Sequence, residues 1–351
     1  MRILIVVPSQ SHVSGNWVTA RRFQHGLEKH GHKVALHDTH LQPTGDFRQS
    51  LLDFAPDVTM LLHAYRSGKP WQEAASDLGI PSVVLLTGTD VNHGLSDPEQ
   101  SKVIRTIMHQ AAFVVLQNPL IAAELAVSHP ELTANLRVLK PGITLGALPY
   151  DLHSTHALEM EQTLFLCPAG IRPVKGVLQL LEMFDLVTRE STACHLAFCG
   201  PILDENYSNR FLAAIEKRPW ASYLGTIPTE AMANAMRGAD VILNNSQTEG
   251  LANTLLEAAT LGVPILAHNI PGNAAVVRHG INGLLYATEA QFVQYALQLL
   301  NQVRRLQLSS PDQDTYNPEH ETAELINLLL EVMDSHRRLS DYTGRSENSD
   351  D

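Results

Sequence analysis

Cysteine is scarce, acidic residues outnumber basic ones, and long apolar runs do not occur. Each shortage removes a class of function. The three cysteines, Cys167, Cys194 and Cys199, show no CxxC spacing and sit in apolar, strand-like runs, so reduced core residues are expected rather than a disulfide framework. The 17 histidines are dispersed, with no HExxH pattern and no His/Cys cluster; no structural metal and no cofactor is expected. With 25 Lys and Arg against 37 Asp and Glu, the formal charge of −12 repels phosphate backbones and anionic membranes, which argues against nucleic acid as a partner. The first apolar run, Ile3 to Val7, is too short for a signal-peptide core, and nothing approaches the roughly 18 apolar residues of a membrane span. No integral membrane segment and a cytoplasmic location are expected; the oligomeric state is not legible.

What is present is an ordinary globular composition, 44% apolar and 18% charged, in a chain of 351 residues, enough for two domains of roughly 150 residues. Short β-branched runs at Ile3–Val7, Val34–Leu36, Val58–Leu62, Val83–Leu86 and Phe113–Leu116 alternate with helical patterns such as Trp17–His30 and Glu99–His109. That alternation predicts a parallel α/β sheet. The polar loop from Pro8 to Asn16 lies where the first strand meets the first helix, a common ligand position. After Ile143 the periodicity lapses until about Gln162, then restarts with a strand at Thr163–Pro168, a helix from Lys175 and further alternation to Ala267. The expected organisation is an α/β first domain at 1–145, a second at 163–318, a helix at 319–339 packing back on the first domain, and a disordered tail at 340–351. The helical stripe of that last helix is read as Ala323, Ile326, Leu330 and Met333.

Two segments carry candidate chemistry. From Asn244 to Ala258 the sequence reads as a strand end, a polar turn and a helix start. Freed backbone N–H groups and the helix dipole make such a place an anion site, and Gly250 permits close approach. Glu249 stands beside it. Glu257 lies one turn after Asn253 on the same helix face, where vicinal ribose hydroxyls would supply two donors to one carboxylate; a scaffold partner is the alternative. The second segment, Cys167 to Gly176, places Arg172 and Lys175 where a strand turns into a helix. Lysine there opposes the dipole, and a diphosphate would explain it, although solvated surface cations are the alternative. Asp312-Gln-Asp314 has the form of a metal-binding DxD but follows Pro311 far past the sheet, and is read as an accident of the loop.

These segments resemble family 4 glycosyltransferases of the GT-B fold, in which an Arg and a Lys follow the second domain's first strand and a Glu-x7-Glu comes later. Glu249 and Glu257 have that spacing, and Asn269 to Val277 and Gly280 to Leu285 also match, so the similarity covers nearly all of residues 163–290. In the first half, Gly15-Asn16, His63 to Arg66 and Thr87 to Asn92 are similar to the animal glycosyltransferase 1 domain-containing protein 1 family and to bacterial selenosugar synthases. The resemblance implies an α/β, GT-B architecture of two Rossmann-like domains facing across a cleft, and transfer of a sugar from a nucleotide sugar, a UDP-sugar being expected, to a small or anionic acceptor with retention. A selenosugar synthase using selenophosphate is the alternative within this class. A nucleotide-sugar epimerase or hydrolase, or a non-catalytic nucleotide-sugar binder, are the alternatives outside it.

Residue by residue, the resemblance implies that Arg172 and Lys175 hold the donor diphosphate, Glu257 the ribose and Glu249 the transferred sugar. Gly200 and Ile227 border the base, and Gly250, Leu251, Ala252 and Asn253 complete the donor site. Gly15, Asn16, Tyr65, Arg66 and Thr89 are expected on the acceptor side. The chain departs from the pattern at Gly15-Asn16, where many members carry Gly-Gly, in the spacing of Arg172 to Lys175, and at Thr87 to Asp90, which replaces a common His. His63 and Asp90, at strand ends, are the candidates for the missing catalytic group; a scaffold histidine and a turn cap are their alternatives.

Overall fold

The computed structural model describes residues 1–8, 15–40, 44–302 and 315–346. The tip of the first loop, the Asp312 to Asp314 run and the end of the expected tail lie outside the described residues. The chain forms two compact units, Met1–Gly142 with Asn317–Asp351, and Ile143–Tyr316.

The first unit is built on a parallel sheet of β1 (Arg2–Val7), β2 (Lys33–Asp38), β3 (Val58–Leu62), β4 (Ser82–Leu86), β5 (Phe113–Leu116) and β6 (Leu136–Val138), in the order β2-β1-β3-β4-β5-β6. Its central strands are apolar on both faces because helices cover both. Ile3, Ile5 and Val7 join Met60, Leu62 and Leu85 in one core, while Leu4 and Val6 join Leu61, Val84 and Leu86 in the other. The first of these cores is closed by the Gly15–Lys29 helix and by the Pro318–Ser346 helix, through Leu325, Leu328, Leu329 and Val332. The buried stripe of that last helix is therefore turned relative to the one read from sequence: Ala323 and Leu330 face solvent. Several registers of apolar residues share the helical period here, and the carboxylate of Glu321 selects one. It accepts Arg22 Nε at 2.7 Å, Arg22 Nη2 at 3.0 Å and Gln117 Nε2 at 2.6 Å, with both members of the ion pair almost fully buried. The helix also runs on to Ser346, through half of the segment read as tail, because adding residues to a formed helix gains one hydrogen bond each while nucleation is already complete.

The second unit repeats the plan with β7 (Thr163–Pro168), β8 (Cys194–Cys199), β9 (Ala221–Tyr223), β10 (Val241–Asn244), β11 (Ile265–His268) and β12 (Gly283–Tyr286), ordered β12-β11-β10-β7-β8-β9 and all parallel. The aperiodic stretch that begins at Ile143 is part of this unit. Leu148 N donates to Glu230 O at 2.9 Å, Asn234 Nδ2 to Leu148 O at 2.8 Å, and Ile143 and Leu152 are buried in the core. Its extended backbone is satisfied by a neighbouring helix rather than by a period of its own, which is why no pattern showed. The three cysteines are buried and unpaired; burial pushes the Cys167 thiol up to about 12 despite the nearby Lys175 charge.

Candidate active site

In a parallel sheet ligands collect beyond the carboxyl ends of the strands, at the point where the strand order reverses. In the second unit that point is between β7 and β10, and the turns leaving those two strands carry Arg172, Lys175 and Glu249. The turns are stitched together. Gln247 N donates to Val174 O at 2.9 Å, Asn245 Nδ2 donates to Gly176 O at 2.7 Å, and Tyr286 OH donates to Asn245 Oδ1 at 2.6 Å. Gly176 has φ 60°, and a Cβ there would lie 2.6 Å from Asn245 O, so no other residue fits this crossing without displacing the turn.

Within this frame Lys175 Nζ pairs with Glu249 Oε1, which also accepts from Ser246 Oγ at 2.7 Å. Burial alone would raise the Glu249 carboxyl above its ordinary value. Lys175, by charge and hydrogen bond, together with Ser246 and Asn244, outweighs that and lowers it. The group is therefore an ionised, acceptor-only carboxylate at neutral pH. Its main chain is held from behind by Gly272, where a Cβ would lie 2.4 Å from Glu249 Cβ and 2.5 Å from Glu249 O. Asn273, fully buried, donates to Asn244 Oδ1 and to His268 O, and His268 Nδ1 donates to Ser246 O at 3.0 Å.

Beyond this turn, the Asn253–Leu261 helix starts after Ala252, which offers no side-chain cap, and has no acid in its first turn. Leu255 N turns back to Ala252 O at 2.9 Å, and the positive end of the helix dipole, with the N–H groups before Leu255, favours an anion there. Leu251 is half-buried and Ala252 buried, and Gly250 precedes them. Glu257 is half-buried on this helix, close enough to Cys199, at the end of β8, to help raise that thiol, which burial chiefly raises. Gly200, next along β8 with φ 143°, donates to Gly225 O at 2.9 Å, and the buried Ile227 follows.

The first unit's reversal lies between β1 and β3. A cavity of about 240 Å³ opens there, with Tyr65, Arg66 and Lys69 after β3 and Thr39 and His40 after β2. Pro8 and Pro70 also line it. Gly15 and Asn16 open the first helix and Thr89 lies after β4; none of these three lines the cavity.

His63 and Asp90 are buried beneath it. His63 Nδ1 accepts Tyr65 N and Arg66 N, both at 3.2 Å, so Nε2 carries the proton and donates to Thr89 Oγ1 at 3.0 Å. Burial holds the ring below its ordinary pKa, with the Arg66 charge acting the same way and Asp90 opposing. Asp90 accepts Ala64 N at 3.0 Å through Oδ2, and Gly88 N, Thr87 N and Val91 N at 2.9, 3.1 and 3.2 Å through Oδ1. Neither ring nitrogen of His63 is open to an acceptor's proton. His63, through Tyr65 N and Arg66 N, and Asp90, through Ala64 N, both bond the turn that bears Tyr65 and Arg66. His63 itself has φ 81°, a backbone state costing a side-chain-bearing residue about 1–3 kcal/mol.

Lys69, His40 and Thr39 did not appear in the sequence reading of this cavity. Lys69 had a local signal, a second cation three residues after Arg66; His40 and Thr39 arrive from another strand and had none. In the second unit Ser246, Asn273 and His268 were likewise missed, because their roles exist only through contacts between turns.

Residues 151–309 match the family model described as glycosyl transferases group 1. Glycosyltransferase 1 domain-containing protein 1 of Xenopus tropicalis is 26% identical over 309 residues, covering 86% of this chain and 88% of that protein. Among solved structures, sucrose-phosphate synthase of Thermosynechococcus elongatus aligns with a TM-score of 0.73 at 13% identity, covering 98% of this chain and 99% of the other. HepE of Anabaena, solved with UDP and glucose, aligns with a TM-score of 0.70 at 14% identity, covering 97% and 100%. By fold the chain is GT-B, and by sequence it resembles the group 1 glycosyltransferases. Among the described residues no helix is long and apolar enough to cross a membrane.

Proposed function

We propose, from the premise that the chain has the GT-B fold and a second unit resembling group 1 glycosyltransferases, that it is a metal-independent, retaining glycosyltransferase of the family 4 type. It moves a hexosyl or N-acetylhexosaminyl group from a UDP-sugar to a small or anionic acceptor in the cytoplasm. The observation that carries this reading is the Lys175–Glu249 pair, held at the reversal point of the second sheet beside a helix start with no side-chain cap. HepE, of the same fold, holds UDP and glucose, the kind of ligand this reading assigns.

In this reading the donor's diphosphate lies between Lys175, Arg172 and the backbone from Gly250 to Asn253. Lys175 is then the shared counter-charge of Glu249 and the diphosphate. Departing negative charge meets fixed cations and dipoles, which is electrostatic catalysis at the leaving group. Glu249, ionised by its partners, accepts from hydroxyls of the transferred sugar, and Glu257 accepts from the ribose, while Gly200 and Ile227 border the base. The acceptor oxygen attacks from the leaving-group face; the bond from the anomeric carbon to the diphosphate breaks, the bond to the acceptor forms, and the acceptor's proton passes to the departing phosphate oxygen. No enzyme nucleophile is needed. Gly15, Asn16, Tyr65, Arg66 and Thr89 are assigned to the acceptor side, with His63 and Asp90 as positioning residues.

The test is mass-spectrometric assay of the purified protein with a panel of UDP-sugars, with and without acceptors that include selenophosphate. A glycosylated acceptor with retained anomeric configuration is expected. Full-rate conversion of donor alone would identify a hydrolase or epimerase instead, and donor binding without turnover across the panel a non-catalytic binder.

A further inference from the structure

The cavity of the first unit carries positive charge that its fold does not need. Arg66 and Lys69 flank Ser67, where the Gly68–Ala75 helix begins, and that helix has no acid in its first turn. Cations at a helix start oppose its dipole. Both side chains are exposed, and among the described residues neither forms an ion pair. The turn that presents them is kept in place at a cost, by the left-handed backbone of His63 and the buried carboxylate of Asp90. His40 and Thr39, from the turn after β2, line the same cavity, as do Tyr65 and Pro70. These two cations stand in a chain of net charge −12, against the sign of the whole molecule.

We propose that this cavity binds the phosphate of a small phosphomonoester. The two positive charges of Arg66 and Lys69 match a group that carries about −1.5 to −2 near neutral pH, whereas a carboxylate would leave one of them unmatched. A guanidinium fork meets two phosphate oxygens at once, with the lysine as a point charge beside it. A volume of about 240 Å³ suits the phosphate and a short organic body. That the bound phosphomonoester is the acceptor in sugar transfer rests on the transferase reading above; that the cavity binds it does not.

Calorimetric titration of the full chain at low salt tests this, with glycerol 3-phosphate and glycerol as probes and UDP titrated separately. Glycerol 3-phosphate is expected to bind and glycerol not. The double variant R66A/K69A should weaken glycerol 3-phosphate at least about tenfold, which is about 1.4 kcal/mol, and leave UDP unchanged, while Lys175→Ala should do the reverse. Because both substituted side chains are exposed, the double variant should melt with the wild type. Should it fail to fold, the single variant Arg66→Lys must retain part of the affinity and Arg66→Glu must lose it. Glycerol 3-phosphate binding that is absent in the wild type, unaffected by R66A/K69A, or abolished instead by Lys175→Ala would overturn the assignment. Absence of UDP binding with the glycerol 3-phosphate result intact would sink the transferase reading and leave the cavity's role standing.

Discussion

The turns after β7 and β10 in the second unit and the turns after β3 and β4 in the first each bring a carboxylate and a basic side chain together near a reversal point of a parallel sheet. Glu249 accepts from side chains, Lys175 and Ser246, and keeps 14% of its side chain exposed. Asp90 accepts from four backbone N–H groups and keeps none. A carboxylate bonded to side chains can change partners by rotation about single bonds, whereas one bonded to the main chain is fixed unless the loop unfolds. The first arrangement suits an exchange between apo and substrate-bound states, and the second suits a scaffold.

Substitutions can break this contrast. The largest effect is expected of Lys175→Ala, which should lower turnover about 10²–10³-fold by removing a fixed charge at the leaving group, with the fold intact by circular dichroism. A turnover near wild type would end the donor assignment. Asp90→Ala should act in the opposite sense, on stability first. It strands several buried N–H donors and should cost about 3 kcal/mol in urea unfolding, and equal midpoints would show that Asp90 is not the anchor of its loop. Gly272→Ala tests how firmly the exchangeable carboxylate is held from behind. Its Cβ would meet Glu249 at 2.4 Å, so a loss of about 1–3 kcal/mol with weakened UDP binding is expected, and a neutral result would mean that the turn gives way easily. Glu257→Gln should weaken UDP about tenfold but leave 2′,3′-dideoxy-UDP unchanged, since only the ribose contact is removed; equal losses for both would place Glu257 elsewhere.

The smallest effect is a pH dependence. The native His63 ring sits below its ordinary value of 6.5, chiefly by burial, so the unfolded chain takes up its proton first as pH falls. Stability from this group is complete above about pH 6.5 and is lost below it, down through the lower folded value. Glu249, also depressed, adds a term that is complete above about pH 4.5 and is lost as pH falls further. Urea midpoints between pH 7 and 5 should therefore fall more steeply for the wild type than for His63→Gln, while Glu249→Gln should leave that slope unchanged. Parallel curves for the wild type and His63→Gln would remove His63 from the account.

Both sheets were legible because strands buried on two faces must be continuous apolar runs, and the helices between them must be amphipathic. The second unit's candidate site was legible as a set of turns, since Glu249, Glu257, Arg172 and Lys175 lie on local signals of strand end and helix start. The first unit's site was not, because its basis is a turn whose bonds run from His63 and Asp90 to main-chain groups of two different loops. The stretch before Gln162 was hidden for a similar reason: its hydrogen bonds go to Glu230 and Asn234.

Composition, strand periodicity and the spacing of a few charged residues by themselves determined that this is a two-unit parallel α/β chain with a cationic and a carboxylate-bearing turn in its second half. These follow from local rules of burial and helix termination that need no distant partner. Only the tertiary structure decided that Lys175 rests on Glu249, that both ring nitrogens of His63 are engaged, one by its own turn and one by Thr89, and that His40 and Thr39 share a cavity with Arg66 and Lys69. Each is a meeting of turns from different strands, and which turns meet is set by strand order, which no local pattern encodes.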